Sequence, residues 1–315
     1  MAVQQEGQPY VIVHGGVNKT ATSYVQAILK RNAGKLRKRG VHYIHHRHTR
    51  KDYTYPCQLN GYKKLGLDYR RKFSDAALAD QARAFFDTVP AGPGERIILS
   101  DENMSGHCGH CVRTGDVYNL RNTLVPIFAS NIPFPVKEVH LAIREYADFF
   151  ASAYVEFLRS ASGQHLVSDL EMKRAVLSRL PSWVDLVELV QKSFPTAEII
   201  LWRHEDFGVL SPRIIRNLCG SEVDVSDFAL PKRSNDRPSA SHRAIEVLLS
   251  EASRIGGAAA LAKRAEIQDT YPRGPDWPRY DPWSPQERDH FRMLYRKDTD
   301  LLRDMKDVTL LAPSE

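Results

Sequence analysis

The chain has 315 residues, 42% of them hydrophobic, and a formal charge of +6, with a sequence pI near 9.1; the length allows a sizeable core, and the mild basic excess suits anionic ligands without requiring them. No run of about 18 apolar residues occurs, the opening "MAVQQEGQPY" lacks the charged-then-apolar order of a secretory leader, and four cysteines do not make a disulfide framework. A membrane-spanning segment and an exported, disulfide-stapled fold are therefore set aside, and a reducing cytoplasm is the expected setting.

The first element is the apolar run "YVIV" at 10–13, and "HGGVNKTATSYVQAIL" at 14–29 follows it as a turn and a helix start. A Lys, two Thr and a Ser there admit two readings. The hydroxyls cap the helix, or the free N–H groups and the lysine cradle a phosphate. The nucleoside-triphosphate pattern G-x-x-x-x-G-K-[ST] is not met, because Asn18 stands before Lys19. A kinase or triphosphatase is disfavoured on that ground and kept as an alternative.

Next comes "VHYI" at 41–44, which runs into "HYIHHRH" at 42–48. Either a strand end is His-rich, or His45, His46 or His48 stands at a sheet's carboxyl edge for use. From 47 to 72 the residues Arg47, Arg50, Lys51, Lys63, Lys64, Arg70, Arg71 and Lys72 face only Asp52 and Asp68, with Tyr53, Tyr55, Tyr62 and Tyr69 interleaved. That stretch reads as a solvated basic face or as a platform for an acidic polymer or nucleic acid.

Further strands are "RIILS" at 96–100, "VHLAI" at 139–143 and "EIILW" at 198–202. Helical periodicity fills 20–32, 74–88, 117–130, 147–160, 180–193, 211–218, 239–254 and 284–305. The last helix is the best signalled: Ser284 as N-cap, Pro285 in the first turn, Glu287 closing a capping box, and Phe291, Leu294, Tyr295, Leu302 and Met305 near one face. Before it, "YPRGPDWPRYDPW" at 271–283 packs four prolines and a glycine into 13 residues and reads as a loop. Short buried strands alternating with helices predict an α/β fold, a single three-layer domain over 1–315 with a central parallel sheet of about five strands and helical additions at the C-terminal end. The segments 45–72 and 267–283 are expected to cover substrate and donor.

"GHCGHCV" at 106–112 has the C-x-x-C spacing of disulfide-exchange enzymes. A reactive cysteine of that kind needs a helix N-terminus directly after a strand, and several residues intervene here. A zinc site from His107, Cys108, His110 and Cys111 lacks a second ligand pair nearby. Loop residues beside a crevice is the simpler reading, with Cys57 and Cys219 as core or near-surface thiols.

"HGGVNKTATS" resembles the 5′-phosphosulfate loop of sulfotransferases, in the bacterial pattern H-x-G-x-x-K-T-G-T-T: His14, Gly16, Lys19, Thr20 and Thr22 match, Ala21 replaces the usual Gly, and Ser23 replaces a Thr. "LAIREYADFFASAY" at 141–154 resembles the 3′-phosphate motif of the same family through Arg144 and Ser152, with Tyr146 where Pro is common. Weaker echoes follow in order: "LSDENMS" at 99–105, "LWRHEDF" at 201–207 and "KRSNDRPS" at 232–239.

The resemblance implies an enzyme that moves a sulfonate from 3′-phosphoadenosine 5′-phosphosulfate (PAPS) to an acceptor hydroxyl, releasing 3′-phosphoadenosine 5′-phosphate (PAP), with no metal. By the same resemblance His14, Gly16, Asn18, Lys19, Thr20, Ala21, Thr22 and Ser23 hold the 5′ end, and Arg144 and Ser152 hold the 3′-phosphate. Lys19 serves the leaving oxygen. Glu102 is the first candidate for the base, and His45 or His46 the second. The expected partner is a small-molecule or glycan acceptor, not nucleic acid. The remaining alternative is a non-catalytic binder of acidic polymers.

Overall fold

A strand buried on both faces has no polar side to alternate with, so it reads as a continuous apolar run. The computed structural model describes residues 7–69, 71–161, 163, 166–231 and 239–313. In it the five expected runs become β1 (Tyr10–His14), β2 (Val41–Tyr43), β3 (Arg96–Ser100), β4 (Val136–Ile143) and β5 (Glu198–Arg203). A sixth strand, β6 (Val308–Leu311), follows the last helix and pairs with β5, adding one strand to the expected sheet. The order is β2-β3-β1-β4-β5-β6, and every pairing is parallel.

That order positions the site. From β1 the chain goes to one side for β2 and β3, then crosses to the other side for β4. The carboxyl end of β1 is thus the point where the winding reverses, and open parallel sheets bind ligands there. The turn after β1, the acidic pair after β3 and Arg144 after β4 open side by side.

Side chains alternate across the sheet. Val11, Val13, Ile97, Leu99 and Leu141 enter one core with the helices Tyr146–Ser160 and Trp183–Ser193. Ile12, Ile98, Ala142, Ile200 and Trp202 enter the other with α1 (Thr22–Arg31) and the helix Phe207–Cys219. The domain is a single α/β unit with helices on both faces. No helix among the described residues is long and apolar enough to cross a membrane.

The basic, Tyr-rich stretch is helical. It forms a turn of π-helix over Thr49–Thr54 and a helix over Tyr55–Lys64. Tyr53 and Tyr62 are buried, and Tyr53 donates to the Phe128 carbonyl. Those rings serve the core and offer no open platform; Arg70 lies outside the described residues. Gly61 lets this helix approach the helix Arg121–Ser130, since a Cβ there would stand 2.6 Å from Leu124 Cδ2. The C-x-x-C pair also departs from the loop expectation. Cys108 and Cys111 open a short helix, Cys108–Thr114, and both are buried and free. Burial pushes the Cys108 thiol up to about 12 and the Cys111 thiol higher still, the opposite of an activated cysteine. Among the described residues no three His, Cys, Asp or Glu side chains converge as a metal site. Cys57 and Cys219 are buried free thiols.

The capping box at Ser284 and Glu287 forms as expected, and Phe291, Tyr295 and Leu302 face inward. The Pro-rich loop ahead of it is pinned toward its C-terminal end. Trp283 Nε1 donates to the Ala147 carbonyl at 2.8 Å, and Arg279 grips Asp148 with two hydrogen bonds of 3.0 and 3.1 Å.

Candidate active site

The turn after β1 is tight for steric reasons. Gly16 has φ +47°, and a Cβ there would sit 2.7 Å from Thr22 Oγ1. Lys19 and Ala21 are also left-handed, at φ 69° and 66°. Ala21 is the N-cap of α1 and supplies no side-chain cap. The threonines do not supply one either: Thr20 Oγ1 donates to the Val17 carbonyl at 2.6 Å, and Thr22 Oγ1 points to the same oxygen at 3.4 Å. The hydroxyls therefore stiffen the turn, and the first N–H groups of α1 stay open at the positive end of the helix dipole. Between the two readings of this stretch, capping is not what the hydroxyls do. Ser23 is exposed beside them.

Ala21, where the pattern usually has Gly, lies one residue ahead of α1, in a region where a Cβ costs about 1–2 kcal/mol. Glycine gives back part of that through unfolded-chain entropy. Ala21→Gly is expected to stabilise the protein by about 0.5–1 kcal/mol, read as a small rise in Tm. An unchanged or lowered Tm would mean that the turn carries no strain at this residue.

Asn18 braces the turn from one side. Its N–H donates to Tyr118 Oη at 2.9 Å, and that hydroxyl donates back to Asn18 Oδ1 at 2.9 Å. Lys19 projects from the turn to Glu156 Oε2 at 3.1 Å, while its carbonyl accepts from Arg144 Nη1 at 2.6 Å. One guanidinium thus reaches from the end of β4 to the β1 turn.

Arg144 and Ser152 line one cavity together with Ser239, Arg273 and Arg279. Arg144 Nε is buried with no partner among the described residues, and so is His204 Nδ1, whose ring lies against the Thr20 backbone. Burial lowers the proton affinity of Arg144, only partly offset by Asp148 and Glu205. Tyr146, which stands where Pro is common, anchors this turn: its hydroxyl meets Asp298, and it accepts from Trp183 N at 2.7 Å. Glu145 caps the helix that carries Ser152, taking Ala147 N and Asp148 N at 3.1 Å each. Glu205, from the "LWRHEDF" stretch, accepts from Glu145 N at 2.9 Å and Tyr295 Oη at 2.9 Å. Residues 232–238 of "KRSNDRPS" lie outside the described residues; Ser239 reaches the cavity.

The acidic pair emerges after β3 as expected, but both members are held. Asp101 is buried and takes Arg50 Nη2 at 2.8 Å and Nε at 3.1 Å on one oxygen. Burial raises its proton affinity against that pairing. Glu102 takes Arg50 Nη2 on Oε1 at 2.8 Å and Gln26 Nε2 on Oε2 at 3.2 Å. Gln26 also donates to Ser100 Oγ at 3.2 Å, and Ser100 Oγ meets His14 Nδ1 at 2.9 Å. The Ser100 hydroxyl has room to accept from both or to donate to His14, so its hydrogen follows the tautomer that His14 adopts. Burial, with neighbouring His140, holds His14 down to about 3. His14 is fully buried, so it reaches the crevice only through Ser100 and Gln26.

His45 and His46 stack at 4.4 Å just past β2. His46 Nδ1 lies 3.3 Å from Tyr43 Oη, and burial with neighbouring His45 brings its pKa down to about 4 despite Glu102. His46 is therefore neutral and in the field of Glu102, whereas His45 faces outward toward Lys30, His48 and Arg47. His107 also feels Arg50, Glu156 and Glu102. Gln26 and Glu156 carried no signal in the sequence as site residues. Arg50 fell in the basic stretch and Arg273 and Arg279 in the Pro-rich loop expected to cover substrate and donor, and His204 fell in "LWRHEDF".

A scan against protein-family models finds no match, and no curated protein matches. A solved sulfotransferase from Alicyclobacillus acidocaldarius aligns over 85% of this chain and 98% of its own, at 13% identity and a TM-score of 0.40. A likeness that distant leaves the reading to this chain's own residues.

Proposed function

We propose that the protein is a PAPS-dependent sulfotransferase acting on an acceptor hydroxyl. One observation carries the reading. Two motifs 125 residues apart in sequence meet in space, with Arg144 donating to the Lys19 carbonyl and lining a cavity shared with Ser152 and two further arginines. A nucleotide phosphorylated at both 5′ and 3′ positions calls for two adjoining anion sites.

The residues fit such a donor. The partnerless buried Nε of Arg144 is a donor awaiting an acceptor. Guanidinium groups grip phosphate through paired N–H bonds, and Ser152 and Ser239 add hydroxyls. Arg273 and Arg279 bring the Pro-rich loop over that group. At the other end, N–H groups of residues 16, 17 and 19–21 and the Ser23 hydroxyl meet the 5′-phosphate, the Asn18 N–H being held by Tyr118. Gly16, Asn18, Thr20, Ala21 and Thr22 shape the turn, and His14 supports it from beneath. The donor supplies the sulfonate.

Sulfuryl transfer resembles phosphoryl transfer in depending on position and charge neutralisation. Lys19 meets the charge growing on the bridging oxygen as the S–O bond breaks, exchanging Glu156 for it. Glu102 takes the proton of the acceptor hydroxyl as its oxygen bonds to sulfur. Arg50 and Gln26 hold that carboxylate by one oxygen each, leaving the other lone pairs for the acceptor. His46, neutral beside it, is the alternative base.

The test is thermal. PAP without Mg²⁺ should raise Tm, with about 2.7 kcal/mol of stabilisation at 100 times its Kd. No shift at millimolar PAP, beside a clear shift with ATP–Mg²⁺, overturns the reading in favour of a kinase or triphosphatase.

A further inference from the structure

A second basic cavity, of about 420 Å³, lies outside the donor site along the open edge of β2. β2 ends the sheet, so one side of its backbone has no strand beside it. The cavity is lined by Lys30 of α1, Arg37 of α2 (Ala33–Arg37), and His42, Tyr43, His45 and His48 from β2 and its continuation. Among the described residues no carboxylate lines it. Glu95 Oε2 lies 2.8 Å from His42 Nε2 at the side, and Asp52 stands 3.7 Å from His48. Lys30 and Arg37 form no ion pair among the described residues. The Ile44 N–H bonds to the Ile98 carbonyl at 3.1 Å, so the extended backbone continues past β2 toward His45. From Val41 to His45 the edge runs about 13 Å at the usual rise of a strand.

The groove has a direction. At its upper end His45 stacks on His46, which lies in the field of Glu102. A chain lying along the edge would arrive at the proposed base. We infer that the acceptor is a polyanionic glycan, one that carries carboxylate or sulfate groups along a hydroxyl-bearing chain, and that Lys30 and Arg37 seat its anionic groups. This rests on the sulfotransferase reading for the reaction, but not for the binding. Nucleic acid fits less well. Single strands are held by stacked bases as well as charge, and the one tyrosine in the lining is half-buried with its hydroxyl occupied by His46.

The experiment measures binding of a heparin-derived hexasaccharide by calorimetry to the full chain and to the double variant Lys30→Gln/Arg37→Gln. Both side chains are exposed, so folding is preserved, and an unchanged Tm shift with PAP checks that. The expected result is salt-sensitive binding to the parent and a Kd raised ten- to hundredfold in the variant, the scale of one or two lost charge-assisted contacts. Maltohexaose, which is neutral, should not bind. Equal affinity in parent and variant, or no binding to either, overturns the inference and leaves the charges as guards of an open sheet edge. Binding of a dT10 oligonucleotide more tightly than the hexasaccharide, with the same dependence on Lys30 and Arg37, overturns it in favour of nucleic acid. Charge-dependent hexasaccharide binding without any response to PAP keeps the groove and removes the sulfotransferase reading.

Discussion

Glu102→Gln is expected to lower turnover of PAPS by about 10²–10⁴ while PAP affinity changes little, the usual scale for loss of a general base. The substitution keeps the shape and removes the proton acceptor. Its surroundings make the outcome specific. Arg50 Nη2 and Gln26 Nε2 both donate to Glu102, one to each oxygen. A glutamine there must present an NH2 to one of them, so the Gln26 amide has to turn over. Ser100 tolerates that turn, because a hydroxyl donates as readily as it accepts. The loss should therefore fall on turnover rather than on folding, and a Tm within a few degrees of the parent checks this. His46→Ala should cost less. If Glu102→Gln keeps near-full turnover while His46→Ala abolishes it, the imidazole is the base, and Glu102 serves to keep His46 and Arg50 in place.

Why Glu102 was legible and its holders were not is a matter of sequence separation. A strand end followed by acids is a local pattern. Arg50 is 51 residues from Asp101, and Gln26 is 76 from Glu102, on elements that meet only after the sheet is wound. The strands that build the switch point were legible because apolar runs bounded by turn residues need no partner to be recognised. β6 was not. "VTLL" is four residues long, and only Leu311 is fully buried, so it lacks the apolar weight of β1 or β3. The Tyr-rich stretch misled for the opposite reason. Tyrosines among basic residues look the same whether the rings face water or the core, and Tyr53 and Tyr62 face the core. The left-handed backbone at Ala21 is a further case. A glycine there would have announced it, whereas an alanine reads as helix. What local reading recovers is the strand ends that carry the two proposed phosphate motifs. What it cannot recover is the set of side chains that hold their residues still.

Arg144→Ala tests whether those two motifs form one donor site. The guanidinium has two roles that the substitution removes together. It lines the cavity with Ser152, Arg273 and Arg279, and it ties the Lys19 carbonyl to the end of β4. The first role concerns only ligands with a 3′-phosphate. The second concerns any ligand of the β1 turn, because Lys19 is held left-handed at φ 69° and is freer to relax without that tie. A charge-assisted phosphate contact is worth roughly 2–3 kcal/mol and the lost tie about 1 kcal/mol more, so the Kd of PAP should rise about 150- to 900-fold. Adenosine 5′-phosphosulfate, which lacks the 3′-phosphate, should lose only about 1 kcal/mol, the share of one neutral hydrogen bond. Arg144→Lys should recover part of the PAP affinity, since an ammonium restores the charge but not the paired grip. The comparison of the two ligands is decisive because both need the turn and only one needs the cavity. Equal losses for both would reduce Arg144 to a brace for the turn, and the cavity beside it would then have no claim on the donor.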